Sequence, residues 1–254
     1  MWGELNPDYD LRLIEESEAA ALLARLGVAQ RRITPQVKAD LLRSQMLKEH
    51  GGVWVDATLL PSKPLSAWLE GDLMQAGFFA FRSHGDPDLV LQNWFLSAEP
   101  GNPLMAAWTD LYTDYFRSAR FYPSWKRALA GQKPMEYLRY SQARRRGDMR
   151  WFVEPDRGRD CPYYPYAVHN YNLAYLLRTN SEVRAIWDRV PKKWSALPLM
   201  IGGLARDEAT PLPAFLSAAS ELLGHAPVHK LNNRDVRFDE LVSCARTTAG
   251  LPPD

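Results

Sequence analysis

The sequence predicts a single α/β domain spanning residues 1–254. Helix-period and strand-type segments intermix along it, glycine and proline punctuate them, and 46% apolar residues in 254 suffice for one large core. The strands are therefore expected to form a sheet with helices on both faces. Residues Leu13 to Leu26, rich in Ala, Leu and Glu, read as a helix stopped by Gly27. Thr34-Pro35 marks the next start, with Thr34 as N-cap and Pro35 at the first helical position. That helix runs to about His50, where Gly51-Gly52 closes it in the left-handed backbone that glycine accepts. Val53-Trp54-Val55 follows as a short buried strand. Asp56 then falls at the strand's C-terminal end, where open α/β sheets collect their ligands.

Beyond Pro61 and Pro64 a short helix is expected near Leu65–Leu69 and a strand around Gly77–Phe81. Asn93-Trp94-Phe95-Leu96 precedes a helix from about Pro103 to Phe116. Tyr122 to Tyr166, dense in Tyr, Trp, Arg and Pro, reads as loops and short helices. One helix is expected over Tyr171–Val190, a loop at Gly202-Gly203, a helix over Pro211–Leu223 and a late strand at Pro227–Leu231. The last dozen residues are expected to be mobile.

A net charge of +1 argues against a nucleic-acid binder. The local runs Arg144-Arg145-Arg146 and Lys192-Lys193 read first as solvated helix ends, with an anionic membrane surface or anionic acceptor as the alternative. Two cysteines, Cys161 and Cys244, make neither a disulfide framework nor a zinc site. The N-terminus lacks the pattern of a signal peptide, and no window approaches the ~18 apolar residues of a membrane span. A cytoplasmic protein is expected, with peripheral membrane association left open.

Chemistry concentrates around the helix before the glycines. Val37, Leu41, Leu42 and Met46 share one arc, while Asp40 and Arg43, three apart, share another. Taken alone, such a pair is a surface ion pair worth a few tenths of a kcal/mol. Its helix, however, leads through two glycines into the strand ending at Asp56, so the three side chains can face one crevice. A carboxylate for sugar hydroxyls and a guanidinium for diphosphate or sugar oxygens suit a nucleotide-sugar site.

The run from Lys38 to Thr58, with Asp40-Leu41-Leu42-Arg43, His50-Gly51-Gly52 and Val53-Trp54-Val55-Asp56, resembles the sugar-binding region of the capsular polysaccharide synthesis glycosyltransferases, within the wider group of DXD transferases. Weaker matches lie at Asn6-Pro7-Asp8-Tyr9, at Asn93-Trp94-Phe95-Leu96 with Pro100–Pro103, and at Pro227–Leu231. The resemblance implies a GT-A-type, mostly parallel sheet with an acceptor-side insert at about 120–190. It implies transfer of a sugar from a nucleotide-diphospho-sugar to a glycan acceptor, with retention, in capsule or surface polysaccharide synthesis. Asp40, Arg43 and Asp56 would bind the donor sugar. A divalent cation, Mn²⁺ or Mg²⁺, would stabilise the diphosphate as it leaves, with Asp56 as one ligand.

The sequence departs from that pattern twice. The second acid of the motif would stand two residues after Asp56, where this chain has Thr58; His229, or His225, reads first as a packed or solvated histidine on a strand, with the missing ligand as the alternative. The nucleotide-base strand of relatives would precede Trp2, so an N-terminal strand is expected to be lacking. Asn93 reads either as a catalytic-site amide near donor or acceptor, or as a turn beside a buried Trp94. Trp151, Phe152, Tyr163, Tyr164, Tyr166 and Tyr171 read mainly as core, with sugar stacking as the alternative, and Glu154, Asp156 and Asp160 are candidate acceptor-activating bases. A non-catalytic relative that binds sugar or nucleotide is the second functional reading. A glycoside hydrolase is the third and weakest, because Asp56 lacks a clear partner acid.

Overall fold

The computed structural model describes residues 1–28, 33–130, 133–206, 209–232 and 236–252. Helices α1 (Trp2–Leu5) and α2 (Glu16–Arg25) lead to α3 (Pro35–His50). Thr34 caps α3 as expected, its hydroxyl accepting from the Val37 amide at 3.3 Å. Gly51 ends the helix at φ +68°, and a Cβ there would stand 2.6 Å from the Pro100 ring, so both conformation and space require glycine. Strand β1 (Gly52–Val55) leaves directly from this turn, followed by β2 (Leu59–Pro61), a 3-10 turn at Leu65–Ala67 and α4 (Leu69–Met74). Strands β3 (Phe78–Arg82) and β4 (Leu91–Ala98) precede α5 (Pro103–Arg117). Then come α6 (Trp125–Ala130), α7 (Pro134–Arg145), a 3-10 turn at Met149–Phe152, α8 (Val168–Thr179) and α9 (Ser181–Arg189). Helices α10 (Ala196–Leu204) and α11 (Leu212–His225), strand β5 (Val228–Lys230) and α12 (Phe238–Thr248) complete the chain.

The mixed α/β class is what forms, but the expected mostly parallel sheet is not. One sheet has the order β1-β4-β3 and the other pairs β2 with β5, and every pairing within them is antiparallel. Among the described residues, parallel pairing is confined to single bridges, Arg82 with Trp194 and Phe121 with Tyr163. The connection 83–90 between β3 and β4 is shorter than the dozen or more residues that a parallel crossover takes.

Both faces of the larger sheet are covered along β3 and most of β4, whereas β1, expected as a buried strand, is only partly buried at the sheet's edge. Phe78 and Ala80 of β3 and Leu96 and Ala98 of β4 pack under α5, α8 and α9, through residues such as Trp108, Leu173 and Trp187. Phe79, Phe81, Trp94 and Phe95 turn to the opposite face, onto Leu65, Leu69 and Val228. Each such aromatic contributes about 1.5–3 kcal/mol by burial, so the sheet is a rigid platform for whatever stands at its edge.

Four local expectations differ from the structure. Asn93–Leu96 lies in strand β4 rather than in a turn. The single helix expected over Tyr171–Val190 is two, because the Asn180 side chain accepts from the Val183 amide and starts α9 afresh. Gly202 and Gly203 lie inside α10; a Cβ on Gly202 would press to 3.3 Å on the Lys230 carbonyl, so glycine there permits α10 to pack on β5. The tail expected to be mobile is helical to Thr248, with residues 253–254, like 131–132, outside the described residues. Among the described residues no helix is long and apolar enough to cross a membrane.

Candidate functional site

Helix α3 delivers Asp40 and Arg43 inward rather than to its surface. It is wrapped by neighbours on so much of its circumference that Asp40, Arg43, Ser44 and Gln45 are buried along with Val37, Leu41 and Leu42. The turn at Gly51 then folds β1 back so that Asp56 meets the same helix. Arg43 is the hub. Its Nη1 donates to the Asn93 carbonyl at 2.5 Å and lies 3.3 Å from Asp40 Oδ1, and its Nη2 donates to Asp56 Oδ1 at 3.1 Å. Trp54 Nε1 donates to the same Asp56 oxygen at 3.0 Å, and the Trp54 ring lies 5.5 Å from the guanidinium carbon.

The four charged side chains grade from solvent inward: Asp56 is 27% exposed, Lys230 18%, Arg43 6% and Asp40 2%. A ligand arriving from solvent meets Asp56 and Lys230 first, and Arg43 behind them. Asp40 lies deepest, in contact with Arg43 and Asn93. Asn93 is clamped at both ends of its amide: Nδ2 donates to Asp40 Oδ1 at 3.4 Å, and Oδ1 accepts from Asn170 Nδ2 at 3.3 Å. The structure thus brings together Asp40, Arg43, Asp56 and Asn93.

Three further residues join this group from far along the chain. His169, on α8, stacks on Trp108 at 4.0 Å, meets Ser44 Oγ at 2.9 Å through Nε2, and holds Nδ1 3.7 Å from Asp40 Oδ1. Asn170 follows it, and Lys230 arrives on β5. Nothing local in the sequence marks His169 or Asn170, and Lys230 lies in the expected strand Pro227–Leu231 without being singled out. Ser44, His169 and Asp40 stand in the order of a nucleophilic triad, but all three are sealed from solvent and so offer no access to a substrate.

Burial sets the electrostatics. The Asp40 carboxyl is pushed up to about 6, mainly by desolvation and against the pull of Arg43, with the nearby Asp56 charge raising it further. Desolvation, aided by the Arg43 charge, drives His169 well below its ordinary value, so the ring is neutral. Arg43 Nε and His169 Nδ1 are buried without a hydrogen-bond partner. Each such group costs about 1–3 kcal/mol, and native folds carry few of them.

A divalent cation fits this donor set poorly. Asp56 Oδ1 already receives Arg43 and Trp54; its Oδ2 lies 3.5 Å from Lys230 Nζ, which also donates to Thr58 Oγ1. A metal bound here would be placed against two cationic side chains. His229 is turned away. It lies on the opposite face of β5 from Lys230, fully buried, its Nε2 facing the carbonyls of Ala226 at 3.0 Å and Leu223 at 3.2 Å and the Ser62 hydroxyl at 3.3 Å. Desolvation lowers its pKa to about 4. His225 is exposed at the end of α11. Among the described residues no three or more His, Cys, Asp or Glu side chains gather as metal ligands would.

The remaining candidates lie elsewhere. Glu154 pairs with Arg157 and Arg178, and Asp156 lines an open cleft with Arg139, Arg146, Asp148 and Trp151. Asp160 is exposed. Phe152, Tyr163, Tyr164 and Tyr171 are core residues, Trp151 is partly buried, and Tyr166 alone of the six is largely exposed.

Residues 27–124 match the family described as capsular polysaccharide synthesis protein. The matched stretch contains Asp40, Arg43, Asp56, Thr58 and Asn93 and supports a role in capsule biosynthesis; His169, Asn170 and Lys230 lie outside it. No curated protein and no solved structure matches the chain.

Proposed function

We propose that this chain is a glycosyltransferase that moves a sugar from a nucleotide-diphospho-sugar to a glycan or polysaccharide acceptor in capsule or surface polysaccharide synthesis. The observation that carries the reading is Arg43, buried and held by Asp40 and the Asn93 carbonyl and engaging Asp56, all within the matched stretch, with Lys230 brought to the other oxygen of Asp56 from β5. In the reaction the bond from the anomeric carbon to the diphosphate oxygen breaks, and its electron pair leaves with the nucleoside diphosphate. The acceptor hydroxyl forms the new carbon–oxygen bond and gives up its proton to the departing diphosphate oxygen. Cationic donors fixed in advance beside the departing oxygen favour that step without reorganising. In this assignment Asp56 takes sugar hydroxyls, Arg43 faces the diphosphate or sugar, Asp40 positions Arg43, and Asn93 ties Asp40 to the sheet.

The second reading, a relative that binds without turnover, is favoured by Thr58 at the place of the motif's second acid. One experiment separates the two. A panel of UDP-, GDP- and dTDP-sugars is screened by thermal shift, and any stabilising compound is assayed for slow hydrolysis with wild type and Asp56→Asn. Stabilisation with hydrolysis lost in Asp56→Asn supports the transferase, and stabilisation without hydrolysis supports the binder. No stabilisation by any nucleotide-sugar, with or without Mn²⁺, removes both.

A cytoplasmic site of action at the inner membrane face belongs to the same reading. Its support is the run of exposed Trp194, Leu197, Leu199 and Met200 beside Lys192 and Lys193. Flotation with vesicles containing anionic lipid, set against neutral vesicles, tests it; equal recovery from both would remove it.

A further inference from the structure

Asp56 and Thr58 occupy the positions from which a DXD-type motif would hold a cation, and an ammonium group stands between them. Lys230 Nζ donates to Thr58 Oγ1 and lies 3.5 Å from Asp56 Oδ2, while Arg43 engages the other oxygen of the same carboxylate at 3.1 Å. The placement is built into the backbone. Strand β5 pairs with β2 so that Leu59 faces Lys230, the Leu231 amide donates to the Thr58 carbonyl at 2.9 Å, and Gly202 lets α10 close over the Lys230 carbonyl. The lysine is therefore carried on a paired strand, partly exposed, with the more deeply buried Arg43 on the other oxygen of the same carboxylate. A hydroxyl that accepts from an ammonium and a carboxylate shared by two cations form a set suited to an anion. They are poorly suited to a second cation.

We propose that Lys230, with Arg43, supplies the positive charge that a divalent cation would otherwise bring to the donor's diphosphate, so that this site binds a nucleoside diphosphate without metal. The proposal rests on the donor-site reading above and deepens it. A lysine is a point charge able to follow the departing oxygen, whereas the arginine fork fixes orientation. Thr58 then holds the ammonium in place instead of supplying a metal ligand.

The test is calorimetric titration of the full chain with UDP, GDP, ADP and dTDP, in EDTA and again with Mn²⁺ or Mg²⁺. At least one diphosphate is expected to bind in EDTA, with Kd values with and without metal agreeing within about twofold. Lys230→Met, which keeps the apolar stem, should weaken that binding by about tenfold or more, and Lys230→Arg should restore most of it. Thermal melts of both variants guard against misfolding, and recovery in Lys230→Arg distinguishes lost charge from lost structure. Binding that appears only with metal overturns this proposal and leaves the donor-site reading intact. Unchanged binding in Lys230→Met overturns it too. If no nucleoside diphosphate binds under either condition, both fall together.

Discussion

Two of the acid–arginine networks among the described residues differ in what surrounds them. In one, Asp88 of the β3–β4 connection accepts from Arg178 at 2.8 Å and Arg150 at 3.1 Å, and Arg157 bridges Asp148 and Glu154. Those arginines lie near water, with Arg150 48%, Arg157 41% and Arg178 29% exposed, although Asp88 between two of them is buried. Around Arg43 the same residue types are withdrawn from water, an arginine nitrogen and a histidine nitrogen lack partners, and Asp40 holds its proton to about pH 6. Solvated ion pairs contribute little and tolerate change. A desolvated set with unmet hydrogen-bonding capacity costs stability, and a fold retains such a cost most readily where the groups have work to do.

That contrast predicts unequal responses to mutation. The largest belongs to Arg43→Met, which leaves Asp40 buried beside no cation. Chemical denaturation at neutral pH should show a loss of about 3–5 kcal/mol, much of it recovered in the double variant with Asp40→Asn. A loss below about 1 kcal/mol would erase the distinction between the networks. Next comes Asp56→Asn, at the mouth. It should leave the melting curve near that of wild type and lower turnover of the nucleotide-sugar by about a hundredfold in a steady-state assay.

The third response is a pH dependence. Folding raises the Asp40 carboxyl from its ordinary 3.8 to about 6, so the folded state holds a proton that the unfolded chain has released. The contribution of Asp40 is thus most favourable below pH 4, declines as pH rises to about 6, and is constant above. Measured against Asp40→Asn, wild type should lose relative stability across that interval and show no further change to pH 8. An opposite slope would place the Asp40 proton wrongly. Smallest of all, Arg157→Ala should change stability by under about 1 kcal/mol, and the change should shrink further in high salt.

The Arg43 network was half legible in the sequence, and the division has a physical cause. Asp40, Arg43 and Asp56 are linked by local geometry: a spacing of three on one helix, then a glycine turn into a strand. His169, Asn170 and Lys230 come from α8 and β5, and no short-range pattern reports which distant element closes on which. The same limit explains the sheet. Short apolar runs revealed strands at Val53–Val55 and around Gly77–Phe81, but residue pattern is blind to pairing direction, and β4 was obscured by its polar Gln92 and Asn93. Gly202-Gly203 misled for a related reason: packing against the Lys230 carbonyl outweighed the poor helix propensity of glycine.

Strand β5 holds one more consequence. Neighbouring residues on a strand point to opposite faces, so His229 and Lys230 present an imidazole and an ammonium on opposite sides of the same three-residue strand. A slip of one residue against β2 would exchange them at Asp56, putting a good metal ligand where a fixed positive charge now stands. Ser62 and the carbonyls of Leu223 and Ala226 hold the imidazole inward and so pin the alignment. The identity of the cation facing Asp56 is thus decided by strand register, and a single inserted or deleted residue before Val228 is the shortest route by which such a site could exchange a lysine for a metal.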